Sequence, residues 1–390
     1  MTTAVRTKGA PKTGVDWFLL VMRVGLIAFI VIGLLGFVAQ QIDPTNAWAT
    51  WRHGDEGAAR LSWAQFQGLV VTGLSQGAMY GLIALGYSMV YGVLGFINFA
   101  HGEVFMIAAF TGFIMSTKFD QAGWWDSGAF IPAMLFTIVV ATIVATIVAV
   151  VMERVAYRPL RGSPRLIPLI TSIGVSFFLQ NAVILLFGPG AKGYAPFPDW
   201  LDKDRVNIWQ IGESDTGVPE YLFSVENKKL LVIVVAAISM AGLWYFVERT
   251  KTGKAMRAVA EDKEIASLMG INVDRTIVTT FAVGGAMAGI AGILWGILFK
   301  SVIATTGFLP GIKAFTAAVV GGVGNLGGAM AGGVSLGGAE ALAPLMVLDP
   351  WGIEGPSQLR DAVVFTLLIL VLLVKPTGLF GERLSSEDRA

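Results

Sequence analysis

A succession of long apolar runs, separated by polar connectors, constrains this chain more than any other feature of its sequence. In hydrocarbon every backbone N–H and C=O has to be satisfied within the spanning structure. Runs such as Trp17 to Ala39, Ala129 to Met152 and Leu166 to Phe187 have the length of a membrane-crossing helix, about 20 residues or slightly more. Composition agrees. Of 390 residues, 55% are hydrophobic and only 14% charged, against about 25% charged in an ordinary soluble domain, and the mean hydropathy is +0.69. The expected fold class is therefore an all-α polytopic membrane protein. The absence of Cys excludes disulfides, thiolate chemistry and Cys-ligated zinc, and two His are few for a metal site. The net charge of +1 says little about partners, since orientation in a membrane depends on where Lys and Arg sit, and the sequence shows no basic face for nucleic acid. The 48 glycines, concentrated in apolar stretches, permit close helix contact.

Lys and Arg orient the runs, because cytoplasmic loops carry the positive excess. Arg6, Lys8 and Lys12 precede Trp17 to Ala39. That run is long for a signal-peptide core, carries Arg23 and lacks a convincing small-residue cleavage site, so it reads as an uncleaved anchor with a cytoplasmic N-terminus. Residues 41–64 then lie outside, with Trp48, Trp51 and Trp63 suited to an amphipathic helix at headgroup depth. Ala129 to Met152 is followed by Arg154, Arg158, Arg161 and Arg165, which place their loop in the cytoplasm, and Leu166 to Phe187 returns. Pro189 to Lys229, where acidic residues outnumber basic ones among several aromatics, belongs outside. Leu230 to Val247 leads into a second basic island and Thr276 to Phe299 leads out of it, with Gly285, Gly289, Gly292 and Gly296 forming a small-residue face. Ile312 to Ala343 is too long for one span, and its glycines make two awkward. Ala362 to Val374 is the last run, before a tail carrying Arg383 and Arg389. A cytoplasmic tail requires the glycine-rich region to cross twice and gives about ten crossings; a single crossing there gives about nine and puts the tail outside.

One interruption falls inside apolar sequence. Residues 97–103, I-N-F-A-H-G-E, join the run Phe66 to Leu94 to the next, and Gly92, Gly95 and Gly102 loosen the backbone around Asn98, His101 and Glu103. A broken or re-entrant helix at membrane depth, facing protein or a water-filled cavity, is one account; a short cytoplasmic turn is the other. Ionisable residues inside a membrane are costly and often functional, which makes His101 and Glu103 candidates for a translocation pathway unless they snorkel at a span end. The spacing Gly95-x-x-Asn98 recurs as Gly322-x-x-Asn325. Paired interrupted helices from an internal repeat, with Asn98 and Asn325 on the pathway between them, are therefore a further expectation, against chance in glycine-rich sequence. Gln76, Thr171, Ser172, Ser176, Gln180 and Asn181 can line a path, but they fit better as hydrogen bonds between helices.

Catalytic motifs are scarce. No G-x-x-x-x-G-K-[ST] occurs, so the chain does not cradle a nucleotide in that way, and His101-Gly-Glu103 lacks the second His of a zinc protease helix. Gly333-Val334-Ser335-Leu336-Gly337 matches the nucleophile-elbow pattern, but that elbow needs a strand, a sharp turn and a His partner. A run of small residues suits helix contact instead.

The polar stretch Thr250 to Gly270 stands between two long apolar spans. Arg249, Lys251, Lys254 and Arg257 crowd its start, and Glu261, Asp262, Lys263 and Glu264 follow. Ile265, Leu268 and Met269 then recur at helical spacing before Gly270, which offers a left-handed cap. A short helix that presents an apolar stripe to the cytoplasm suits the groove of a soluble partner; a solvated loop is the plain alternative. The turn from Ile265 to Met269 is the expected contact, with the basic residues anchoring the preceding span to the membrane surface.

These blocks resemble a known family. The run Gly73 to Glu103, E-R-V-A-Y-R-P-L-R at 153–161, S-I-G-V-S-F-F-L-Q-N at 172–181, A-E-D-K-E-I-A-S-L-M-G-I-N-V-D-R at 260–275, A-F-T-A-A-V-V-G-G at 314–322 and L-L-I-L-V-L-L-V-K-P-T-G at 367–378 closely resemble the first of the two permease subunits of branched-chain amino-acid ABC transporters. The resemblance covers about Gln65 to Gly381. It implies an importer subunit of the bacterial inner membrane that pairs with a second, homologous permease, two cytoplasmic ATPases that bind ATP and Mg, and a periplasmic substrate-binding protein. The chain itself is expected to need no cofactor and to have no ATPase site. Residues 260–270 resemble the coupling loop of such importers, with Glu261, Ala266 and Gly270 on a degenerate E-A-A…G pattern and Asp262 where a strict pattern has Ala. The docking set implied is Glu261, Asp262, Ile265, Ala266, Leu268, Met269 and Gly270. The expected layout is an N-terminal region 1–64, with tail, extra anchor and external segment, that has no counterpart in the family. A permease domain at 65–381 follows, containing the coupling loop 249–275, then a tail at 382–390. The substrate class implied is branched-chain or related amino acids. Urea or short amides are the alternative, and an ATPase-independent channel or secondary transporter would leave the coupling stretch without a purpose.

Overall fold

The computed structural model describes residues 14–43, 61–125, 128–164, 166–213 and 219–381. The interfacial helix expected around Trp48 and Trp51, the tail of Arg6, Lys8 and Lys12, Arg165, and the tail of Arg383 and Arg389 lie outside them. In order, the elements are α1 (Gly14–Ile42), α2 (Trp63–Leu94), α3 (His101–Gln121) and α4 (Phe130–Met152), the last continuing as a π turn and a 3-10 turn to Leu160. Then come α5 (Leu166–Phe187), β1 (Lys192–Gly193), α6 (Asp199–Asp202), β2 (Arg205–Glu213), β3 (Pro219–Glu226), α7 (Asn227–Arg249), α8 (Lys251–Glu261) and α9 (Lys263–Leu268). The chain ends with α10 (Val273–Phe299), β4 (Ser301–Val302), α11 (Phe308–Gly321), α12 (Leu326–Ala343), a π turn at Pro344–Leu348, short 3-10 turns, and α13 (Arg360–Val374).

Among the described residues, eight helices are long and apolar enough to cross a membrane: α1, α2, α4, α5, α7, α10, α12 and α13, several with their extensions. Two more segments complete the set. α3 falls short on composition because polar residues stand at both its ends, His101 and Glu103 in the first turn and Lys118 and Asp120 in the last, and α11 has 14 residues, about 21 Å of rise. The glycine-rich region thus forms two helices, as the ten-crossing alternative requires. The chain divides into two compact units, residues 1–61 with 343–376 and residues 62–342 with 377–390. In the first unit, the Phe29 and Trp351 rings stack at 4.9 Å, and Arg23 donates to the Leu373 carbonyl.

In the second unit, local chemistry sets the helix ends. A capping box starts α2: Ser62 Oγ accepts from the Gln65 N–H and Gln65 Oε1 from the Ser62 N–H. Gly95 stops it, at φ +76°, with its N–H on the Tyr91 carbonyl at 2.7 Å. At this end Arg161 bridges the buried Glu153 and Asp274, and Arg158 bonds Asp274 at 3.0 Å. The segment after α4 is thereby fixed to the first turn of α10. At the opposite end the structure adds what the sequence reading lacked. The stretch Pro189–Lys229, expected only as a polar external segment, contains an antiparallel hairpin of β2 and β3. Gln67 of α2 holds it, donating to the Tyr221 and Leu222 carbonyls and accepting from the Ser224 N–H, all at 2.9 Å. Trp63 Nε1 adds a bond to Leu222 O at 3.3 Å. Asp202 pairs with Lys300 and, at 3.2 Å, with Lys228; the Lys300 hydrogen bond is the main reason its carboxyl sits below the usual range. The membrane helices are all-α as expected, and the hairpin is an addition to them.

Glycine brings the helices together. On α10, a Cβ at Gly285 would lie 2.6 Å from Ala149 Cβ and one at Gly289 2.8 Å from Thr142 Cα, both on α4, while one at Gly292 would lie 2.6 Å from the Phe105 carbonyl of α3. The expected small-residue face thus serves two neighbours. A Cβ at Gly77 of α2 would lie 2.8 Å from the Gly333 carbonyl of α12, and Ser335 between Gly333 and Gly337 is exposed. The G-x-S-x-G segment is accordingly a helix contact. At the other end of α12, residues 377–381 fold back on the α11–α12 turn: Leu379 N–H bonds Val320 O at 2.8 Å and Phe380 N–H bonds Gly321 O at 3.0 Å. Forcing side chains into such contacts costs about 1–3 kcal/mol or more. Gly77→Leu should therefore lower the Tm of the detergent-solubilised protein, whereas Gly68→Leu on the same helix, with no atom within 4 Å of its Cβ position, should leave it unchanged in the same fluorescence-monitored melt.

Candidate functional site

The α2–α3 break gathers three of the expected pathway residues. Asn98, His101 and Glu103 are all buried, and their polar groups are only partly satisfied. Asn98 Oδ1 accepts from the Ala100 N–H at 3.1 Å and from the Tyr157 hydroxyl at 2.6 Å, yet its Nδ2 has no partner. His101 fits against Gly86, where no Cβ has room, and meets the Tyr87 ring edge-on at 4.9 Å; its Nε2 is buried without a partner. Glu103 Oε1 accepts from Ser176 Oγ at 3.0 Å and Gln180 Nε2 at 2.7 Å. Its Oε2 is unpartnered beside Gly307, where α11 begins, and a helix N-terminus favours negative charge. The break is therefore inside the protein and faces packed helices, which is the setting in which irregular backbone is tolerated.

α5 supplies both donors, Ser176 and Gln180, from a face they share with Ser172 at four-residue spacing. Ser172 Oγ also accepts from the Phe99 N–H at 3.3 Å. These side chains bond helix to helix, whereas Thr171 and Asn181 bond their own α5 carbonyls. Asn325 bonds none of the other three. Its Oδ1 accepts from the Gly328 N–H at 2.9 Å, capping α12, and its Nδ2 donates to Phe380 O at 3.0 Å. The sequence echo nonetheless has a geometric counterpart. Gly95 and Gly322 both adopt positive φ, +76° and +107°, and in each case the Asn three residues on accepts from a backbone N–H at the start of the next helix.

Two charged residues were not singled out by the sequence reading. Lys313 of α11 and Glu340 of α12 form a buried ion pair at 2.7 Å. The signal that marks them is the one that marked Glu103, an ionisable residue in an apolar run.

The coupling stretch divides at Asp262. Thr250 caps α8 by accepting from the Gly253 N–H, and Gly253, Met256 and Val259 are buried. Arg257 binds Glu248 at 2.6 Å. Asp262 Oδ1 accepts from the Glu264 and Ile265 N–H groups at 2.8 and 2.9 Å and so starts α9, a physical role for the residue that departs from the E-A-A pattern. Gly270, at φ +82°, ends it, with the Gly270 N–H on Ser267 O and the Ile271 N–H on Ala266 O. Ile265, Leu268 and Met269 are 60%, 86% and 78% exposed while Ala266 is 4% exposed. Ala266 thus seats the helix, and Glu261 and Asp262 lie on the open side.

A family model for the permease component of branched-chain amino acid transport systems matches residues 69–372. The chain belongs to that family. The permease is 45% identical over 315 residues to the Pseudomonas aeruginosa high-affinity branched-chain amino acid transport system permease protein BraD, covering 80% of this chain and 95% of BraD. It is 42% identical over 312 residues to the corresponding Escherichia coli protein LivH, covering 80% and 94%. A Methanocaldococcus jannaschii protein named as a probable LivH is 31% identical over 160 residues, 41% of this chain and 50% of that one. The permease is a multi-pass membrane protein of this family, and residues 1–64 lie ahead of the matched region. Glu103→Gln keeps the acceptor that Ser176 and Gln180 use but removes the unpartnered oxygen. It should lower uptake by the permease about tenfold or more (~1.4 kcal/mol) while its amount in the membrane is unchanged, measured as transport per quantified copy.

Proposed function

We propose that this permease is the membrane subunit of an ATP-driven importer carrying branched-chain or related amino acids across the bacterial inner membrane. Its N-terminus and the α8–α9 end are cytoplasmic, as the Lys and Arg distribution asks. The observation that carries the reading is the apolar turn of α9, which projects Ile265, Leu268 and Met269 into solvent from a membrane protein and suits a groove on a soluble partner. The partners are two ATPase subunits that bind ATP and Mg, a second homologous permease, and a periplasmic binding protein that delivers substrate at the hairpin end. The names of BraD and LivH support the substrate class.

The geometry suits transmission of force. Only a few residues join α9 to α10, and Asn272 Oδ1 caps α10 by accepting from the Arg275 N–H at 2.9 Å. Asp274 in the next turn is tied to Arg158 and Arg161, and α10 packs on α4 and α3 through its glycines. A displacement of α9 by an ATPase therefore reaches the helices around Glu103 through stiff elements rather than a loose loop. Energy enters from the partner, and the permease converts it into relative movement of packed helices.

Replacing Ile265, Leu268 and Met269 together by Asp should abolish co-purification of the ATPase subunits while membrane insertion persists; undiminished co-purification would overturn the coupling assignment. For the substrate class, unlabelled leucine should compete with labelled leucine for uptake, whereas urea should not.

A further inference from the structure

Lys313 and Glu340 face each other across the α11–α12 hairpin, their side chains 9% and 7% exposed. Near the turn the two helices touch backbone to backbone: a Cβ at Gly328 would collide with the Gly321 carbonyl, and one at Gly332 with the Ala317 carbonyl. The pair fills the hairpin further along, about 12 Å from the end of α11 at 1.5 Å per residue. The Lys313 ammonium also lies 5.9 Å from the Tyr80 ring centroid, within cation–π range.

Stability does not explain such a pair. Desolvating two ions offsets most of their attraction, and apolar side chains of the same volume often serve as well or better. The surroundings are also incomplete in a specific way. Glu340 Oε2 is buried with no donor, and the hydroxyl of Thr316, one turn from Lys313 on the same face of α11, is buried with no partner. The α12 side lacks an N–H, and the α11 side lacks an acceptor.

We propose that Lys313, Thr316 and Glu340 form an intramembrane site for the zwitterionic head group of an α-amino acid. The substrate carboxylate takes Lys313 and the Thr316 hydroxyl, and its ammonium takes Glu340. Glu340 Oε2 and the Thr316 hydroxyl, which have no partner in the structure, each gain one. Before binding, Lys313 and Glu340 neutralise each other; afterwards each neutralises one end of the substrate, so no net charge stands in the low-dielectric interior at either stage. Neutral amides carry no formal charge to exchange for either partner. The site rests on the amino-acid importer reading above, and it assigns the recognition of the head group to this chain rather than only to a delivery protein.

The test uses the full transporter with its ATPase and binding protein. Thr316→Val removes a hydroxyl that bonds nothing in the structure, so folding is preserved; it should raise the KM for leucine about tenfold, the worth of a hydrogen bond to a charged group. The double variant Lys313→Met/Glu340→Met should insert and co-purify with the ATPase but lose leucine uptake by about tenfold or more. The exchange Lys313→Glu/Glu340→Lys keeps an ion pair yet puts the carboxylate-binding charge away from Thr316, and it too should lose uptake. Leucine uptake within about twofold of wild type in the Thr316 variant and in the exchange variant (~0.4 kcal/mol) would overturn the site and leave a clamp between helices. Failure of the importer reading looks different, because the wild-type transporter would then ignore leucine.

Discussion

Backbone-to-backbone contact at glycine is the interaction on which the rest of this bundle depends. Lipid tails are as apolar as leucine side chains, so nothing hydrophobic drives one spanning helix onto another, and close approach has to supply the attraction. Gly285, Gly289 and Gly292 let α10 meet α4 and α3 at once, and Gly77 meets Gly333 between α2 and α12. Because the helices are this close, there is little space for large polar side chains between them. Two groups of those that remain sit at particular levels: Asn98, His101 and Glu103 at the α2–α3 break, and Lys313 with Glu340 in the α11–α12 hairpin.

These polar levels differ in how completely they are satisfied. Ser176 and Gln180 saturate one oxygen of Glu103, and Tyr157 supports Asn98, which fixes the break in a single geometry. The other polar atoms of these two side chains, Asn98 Nδ2 and Glu103 Oε2, stay unpaired, as does Glu340 Oε2 in the α11–α12 hairpin. A buried polar atom without a partner typically costs about 1–3 kcal/mol.

Much of this was legible from local pattern. Run length found the spanning helices, the spacing of glycines found the contact face of α10, and the Ile265, Leu268 and Met269 stripe found the exposed turn of α9, since all three depend on residues near each other in sequence. The hairpin of β2 and β3 was not visible, because its alternation is diluted by charges and its anchor, Gln67, lies far away on α2. Lys313 and Glu340 were missed for a related reason: each is a single charge in an apolar run, and only the fold brings together residues 27 apart. Asn325 shows the converse. Its spacing resembled that of Asn98, and the local turn is indeed similar, but tertiary context turns its side chain to α12 and Phe380 rather than to the α2–α3 break.

The fold-back of residues 377–381 on the α11–α12 turn also bears on how the bundle is made. The carbonyls of Val320 and Gly321 at the end of α11 receive their protein donors from Leu379 and Phe380, which leave the ribosome after every helix described here. The hairpin that carries Lys313 and Glu340 is thus synthesised before its own turn can be closed. Until that closure, water at the membrane surface has to hold those carbonyls, and the two glycine-packed helices lack the strap that fixes their crossing. Completion of this hairpin is therefore a late step of biogenesis, set by the order in which the chain emerges.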